Sequence, residues 1–130
     1  MQITKNFNKR EFNSKDGRRM PKDVLKNIII LAEQLQILRD HLQAPIHINS
    51  AYRSPQHNKR IGGVKNSQHI YGRAADITSR DYTPKQLHTE IERLISKGEM
   101  LEGGLGLYNG FVHYDIYYDG KKIRRWDFTT

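Results

Sequence analysis

Asn109-Gly110 stands between two short runs, GGLGLY before it and FVHYDIYY after it, in which side chains alternate between apolar and polar or small. Asn-Gly accepts positive φ at both central positions of a two-residue turn, so it closes a β-hairpin and fixes its register. Tyr108 then faces Phe111, Leu107 faces Val112, and Gly106 faces His113. Successive side chains point to opposite faces of a sheet. Leu105, Leu107, Val112, Tyr114 and Ile116 therefore share a core face, and Gly106, Tyr108, Phe111, His113 and Asp115 share the other. Gly106 has no side chain, which leaves room above His113 for a ligand or a metal; a purely structural histidine is the plainer alternative. Asp119-Gly120 is a second such turn, and KKIRRWDF is expected to return beyond it as a further antiparallel strand.

Upstream, Pro21 opens a helix at its first position. Val24, Ile28, Leu31, Leu35, Leu38 and Leu42 follow at spacings of four and three, which makes one apolar stripe on a long helix ending near residue 42. IHINSAY, from residue 46 to 52, reads as a strand, and AADITS as another. Between them lies a long loop with a helical turn near residue 57; loops of this length in compact domains are often functional. Thr83, Pro84 and Gln86 form a capping box for a helix that buries Leu87, Ile91, Leu94 and Ile95. The order predicts one α+β domain over residues 1–130, with helices packed on one side of a mostly antiparallel sheet.

Asp76 is the residue that this fold explains least. It lies between Ala74, Ala75 and Ile77, in a strand that the core is expected to bury. A carboxylate there must be paired, hydrogen-bonded or bound to a cation. Arg53 or Arg73 supplies the ion-pair reading. In the other reading His69, Asp76 and His113 converge on one cation, and two imidazoles with one carboxylate are the ligand set of a catalytic zinc site. The chain has no cysteine, so neither a thiolate metal site nor a cysteine nucleophile is available. A net charge of +8 favours polyanionic surroundings, such as an anionic cell wall. No nucleic-acid-binding signature accompanies the charge, and no nucleic-acid partner is expected. MQITKNFNKREF has no apolar run and does not read as a signal peptide. No segment approaches the length of a membrane span. The expectation is synthesis in the cytoplasm and release by other means.

SQHIYGRAAD fits the pattern S-x-H-x-x-G-x-A-x-D at Ser67, His69, Gly72, Ala74 and Asp76. With INSAYRSPQHNKRIGGVKNSQH and GGLGLYNGFVHYDI, the chain resembles the zinc peptidases that include D-alanyl-D-alanine carboxypeptidases, D-Ala-D-Ala dipeptidases and L-alanyl-D-glutamate endopeptidases. The hedgehog signalling domain shares their fold. The resemblance covers roughly residues 20 to 128 and points to the small single-domain branch found in bacteria and phages. It implies one zinc ion per chain, bound by His69, Asp76 and His113. It implies that Arg53 holds a substrate carboxylate or polarises the scissile carbonyl, since a guanidinium forks onto oxygen pairs and stays charged. Ser67 would contact substrate or orient its loop; a surface ion pair for Arg53 and a turn role for Ser67 are the plainer readings.

Better-known members carry an acid three residues before the last histidine ligand, as the general base. Here that position is Gly110, and the histidine that some members place two residues before the ligand is Phe111. Asp115 is expected to be either the base or a partner that orients His113. Tyr108 is expected to donate to an oxyanion and to contact substrate, and Glu102 and His57 lie in flanking segments within reach. The implied function is hydrolysis of peptidoglycan peptide stems, by a monomeric phage or prophage lysin. The alternative is a non-catalytic, zinc-bearing wall-binding or virion structural module.

Overall fold

A computed structural model describes all 130 residues. After a 3-10 turn at Lys9–Phe12 come α1 (Lys22–Leu42), β1 (His47–Ser50), α2 (Pro55–Arg60), β2 (Ala74–Thr78), α3 (Pro84–Ser96), β3 (Gly104–Leu107), β4 (Val112–Asp115) and β5 (Arg124–Asp127). The strands form one sheet in the order β1-β2-β4-β3-β5. The α+β architecture is the expected one. No helix is long and apolar enough to cross a membrane.

All six stripe residues of α1 are buried. They meet Leu87, Ile91 and Leu94 of α3 and the inner sheet face, where Ile48, Ala75, Ile77, Leu105, Leu107, Val112 and Tyr114 lie. Each large aliphatic side chain removed from water here contributes about 1.5–3 kcal/mol. Pro21 is the N-cap of α1, so the helix begins at Lys22, one residue later than expected. The Thr83–Gln86 capping box is present at α3. Phe7 and Phe12, from the N-terminal segment, complete the core.

The Asn109-Gly110 hairpin has the expected register, with Gly106 opposite His113 and Leu107 opposite Val112, but not the expected turn: neither Asn109 nor Gly110 takes positive φ, and the amide of Tyr108 donates to the Phe111 carbonyl across a wider bend. The last strand departs from expectation. β5 does not return beside β4; it pairs parallel with β3. The reason is that β4 already has β2 on its other edge, so of the two hairpin strands only β3 keeps a free edge. Asp119-Gly120 instead turns the crossover, where Asp119 Oδ1 accepts from the amides of Lys121 and Lys122.

The pairing lines up the outer face. Ser50, Asp76, His113, Gly106 and Trp126 are successive ladder partners across all five strands. A one-residue register shift between Ile48 and Ser50 brings Ser50 into this row, the kind of re-aiming that a bulge produces.

The loop between α2 and β2 is pinned to α1 at Gly72. Its φ is +72°, and a Cβ there would stand 2.8 Å from the Val24 carbonyl of α1. Gly62 has φ +74° but open space around it. Left-handed φ alone costs an L-residue roughly 1–2 kcal/mol. Gly72→Ala is therefore expected to lose more stability in urea unfolding than Gly62→Ala, the excess measuring the seat against α1.

Candidate metal centre

His69, Asp76 and His113 come from three different places: the pinned loop, β2 and β4. Each offers one ligand atom, and these atoms lie within 4.8 Å of one another. All three residues are buried, at 3%, 7% and 9% exposure.

The far side of each imidazole is committed. His69 Nδ1 is 2.7 Å from the Ala51 carbonyl oxygen, which can only accept, so Nδ1 carries the hydrogen. His113 Nε2 is 2.8 Å from Asp115 Oδ2 and donates to that carboxylate for the same reason. The near nitrogens, His69 Nε2 and His113 Nδ1, both face Asp76 Oδ1, at 3.2 and 3.0 Å. In a neutral imidazole each would present a lone pair. Two lone pairs facing a carboxylate repel unless a proton or a cation lies between them. Ligands about 2.0–2.2 Å from a tetrahedral zinc-sized ion lie roughly 3.3 Å apart, close to the two histidine–carboxylate separations, and all three ligand atoms lie within 4.8 Å. The residues thus fit a divalent cation in both donor chemistry and spacing.

The second Asp76 oxygen accepts from Arg53 Nη2 at 3.3 Å. Arg53 also donates to Ser50 Oγ and Asn58 Oδ1. The ion pair considered for Asp76 therefore exists alongside the histidine pair. Arg73 takes no part; it bonds Gln68 and stacks on Tyr71 and Tyr117. Burial pushes the Asp76 carboxyl up, but hydrogen bonds from His113 and His69 outweigh it and hold it well below the usual carboxylate range. For His113, burial favours the neutral ring, and the bonds to Asp115 and Asp76 outweigh it and raise the pKa.

Asp115 is fully buried. Its two oxygens accept five hydrogen bonds: from His113 Nε2, from the amides of Gly104 and Tyr117, and from both Nη atoms of Arg124. Burial raises its carboxyl and these donors, His113 first, more than reverse that.

The three ligand candidates open onto a cleft of about 340 Å³. Arg53, Ser67, Tyr108, Asp115, Phe111, Lys65, Arg124 and Trp126 also line it. Ser67 Oγ accepts from the His69 amide at 3.2 Å. The Tyr108 ring stacks on Phe111, and its hydroxyl accepts from Trp126 Nε1 at 2.9 Å. Glu102 and His57 do not line the cleft; Glu102 pairs with Arg125 at 2.8 Å. The space expected above His113 is not open either. A Cβ on Gly106 would overlap the Trp126 indole, so the glycine makes room for a tryptophan and not for a ligand. Arg124 and Trp126 carry no signal in the sequence beyond their i, i+2 spacing, and a strand returning beside β4 would have placed them elsewhere.

An α+β domain with a two-histidine, one-carboxylate centre at the sheet face has known relatives. The chain matches the model of the Peptidase M15 family over residues 4–115, and it belongs to that family. Over 52 residues it is 38% identical to the zinc D-Ala-D-Ala carboxypeptidase of Streptomyces albus G, a stretch that covers 39% of this chain and 20% of that protein.

The bonds to Asp115 and Asp76 raise the His113 pKa, so at pH 6 a cation entering this centre is expected to displace a proton from His113 Nδ1. Calorimetric titration with a divalent ion at pH 6, in two buffers of different ionisation enthalpy, is expected to show release of about one proton or more per ion. Binding without proton release would contradict the geometry.

Proposed function

We propose that this chain is a zinc-dependent peptidase that hydrolyses the peptide stems of bacterial peptidoglycan. The observation that carries the reading is the donor set: His69 Nε2, Asp76 and His113 Nδ1 face one point, and the far nitrogen of each imidazole is tied down. Three protein ligands leave one position of a tetrahedral zinc site open. Zinc, when bound, supplies a Lewis acid and a water of lowered pKa. The relative's name, a carboxypeptidase for D-Ala-D-Ala, supports the substrate class.

The chain's own residues then divide the work. Arg53 takes the substrate carboxylate or polarises the scissile carbonyl, from a position already beside Asp76. Tyr108 accepts from Trp126 and so keeps its own hydrogen free to donate to a developing oxyanion. Ser67 holds the His69 loop and lines the cleft with its hydroxyl. Asp115 has no unused hydrogen-bonding capacity facing a water, which favours its role in orienting His113 over that of base. Completeness of the centre within one chain suits a monomer. The +8 charge suits an anionic wall, and in its finer form the reading is a phage or prophage lysin.

One observation favours a second reading. The two carboxylates that line the cleft are both already hydrogen-bonded, and Gly110 supplies no third. A wall-binding or virion structural module that keeps the metal but lacks turnover would have this arrangement.

Digestion of purified peptidoglycan, followed by mass spectrometry of the released peptides, separates the two. The peptidase reading expects one defined stem cleavage that is lost with a chelator and restored by zinc. Absence of any product from several wall types, with zinc bound, would replace it with the module.

A further inference from the structure

We propose that β5 is a working part of the metal centre, and that Arg124 and Trp126 are positioning residues that fix His113 as a ligand. The proposal rests on the metal-binding role given to His113 above. The family match ends at residue 115, so it assigns nothing to this strand.

The strand register places both residues. Arg124 lies beside Gly104 and Trp126 beside Gly106, and the alternation of a strand turns both toward the face that carries Asp115 and His113. Arg124 forks onto Asp115, with Nη1 2.9 Å from Oδ1 and Nη2 3.1 Å from Oδ2. Asp115 is wholly enclosed, and an ionised carboxylate so placed needs a fixed counter-charge. Without Arg124 its only charged partner would be His113, which a cation requires in neutral form. Arg124 thus fixes both oxygens of Asp115 and keeps the carboxylate aimed at Nε2 while Nδ1 is given to the metal.

Trp126 acts on the same ring by packing. Its ring centroid is 5.1 Å from that of His113, and the His69 ring is 5.2 Å away. The imidazole is held between them. The indole is held in turn by its bond to Tyr108 and by the Arg124 guanidinium, 5.7 Å from the ring centroid.

The glycines of β3 show that this assembly is built in. A Cβ on Gly104 would overlap the Asp115 carboxylate and stand 2.9 Å from both Arg124 Nη atoms, and one on Gly106 would overlap the indole. The GGLG pattern clears a path for two side chains from the neighbouring strand.

The test compares zinc affinity, by competition with a chromophoric chelator, for the full-length wild type, Arg124→Ala, Arg124→Lys and Trp126→Phe. The visible spectrum of each Co²⁺-loaded protein and the far-UV circular dichroism of each metal-free protein are recorded beside it. Arg124→Ala is expected to weaken zinc binding about 10–100-fold and to change the Co²⁺ spectrum, with the fold retained. Arg124→Lys is expected to recover part of the affinity, because an ammonium keeps the charge but cannot fork. Trp126→Phe should change the Co²⁺ spectrum with a smaller loss. Folded Arg124→Ala with wild-type affinity and spectrum would overturn the proposal. Should Arg124→Ala fail to fold, wild-type affinity and spectrum in both Arg124→Lys and Trp126→Phe would overturn it equally. A wild type that binds no zinc would instead refute the metal-binding role itself.

Discussion

Two imidazoles can offer lone pairs to one cation only if the other nitrogen of each ring is held, and much of this fold serves that constraint. His69 is held by the Ala51 carbonyl, which requires the loop before β2 to lie against the end of β1. The amide of Arg53 accepts no choice in the matter: it donates to the His69 carbonyl at 3.0 Å and fastens the loop from the other side. His113 is held by Asp115, two residues on along the same strand face. Asp76 sits beside His113 on the neighbouring strand and faces both rings. The helices supply the apolar layer that keeps the sheet, and hence these distances, fixed.

Charge at the cleft follows from the same arrangement. Asp76 and Asp115 are matched by Arg53 and Arg124. With neutral imidazoles, the four side chains sum to about zero. A divalent ion held by His69, Asp76 and His113 would make the centre net positive, which would favour oxygen ligands that carry negative charge. Burial lowers the Arg53 pKa and the neighbouring Asp76 opposes that, so the guanidinium is a cation whose hydration has been replaced by Ser50, Asn58 and Asp76. The role proposed for Arg53 would have it exchange one of these partners for a substrate oxygen.

Much of this was legible in the sequence, for definite physical reasons. The stripe from Val24 to Leu42 has the helical period, and every member is buried. Asn109-Gly110 marked where the chain reverses, and the faces of Leu105 through Asp115 came out correctly, although neither residue takes the positive φ that the dipeptide suggested. Asp76 stood out because a charge in a buried strand demands a partner, and the structure brings His69 and His113 to it. Pairing beyond the hairpin was not legible. An Asp-Gly dipeptide reports a turn, but not which strand edge is free after it. That depends on β2 having already occupied β4, a contact between segments nearly forty residues apart. For the same reason Gly106, an opening above His113 by its sequence, is a seat for Trp126, and nothing local marks Arg124 as the partner of Asp115. The bulge at β1 and the roles of Phe7 and Phe12 depend likewise on tertiary packing that local pattern does not encode.

In the proposed centre one cation binds through His69 Nε2, Asp76 and His113 Nδ1 while the far nitrogens keep their protein partners. A crystal structure of the zinc-loaded chain, with anomalous data collected at the zinc edge, is the direct test. The expected result is a single strong peak within bonding distance of those atoms, with the His69–Ala51 and His113–Asp115 hydrogen bonds intact. A peak elsewhere on the surface, or coordination through His113 Nε2 with the Asp115 bond broken, would contradict it.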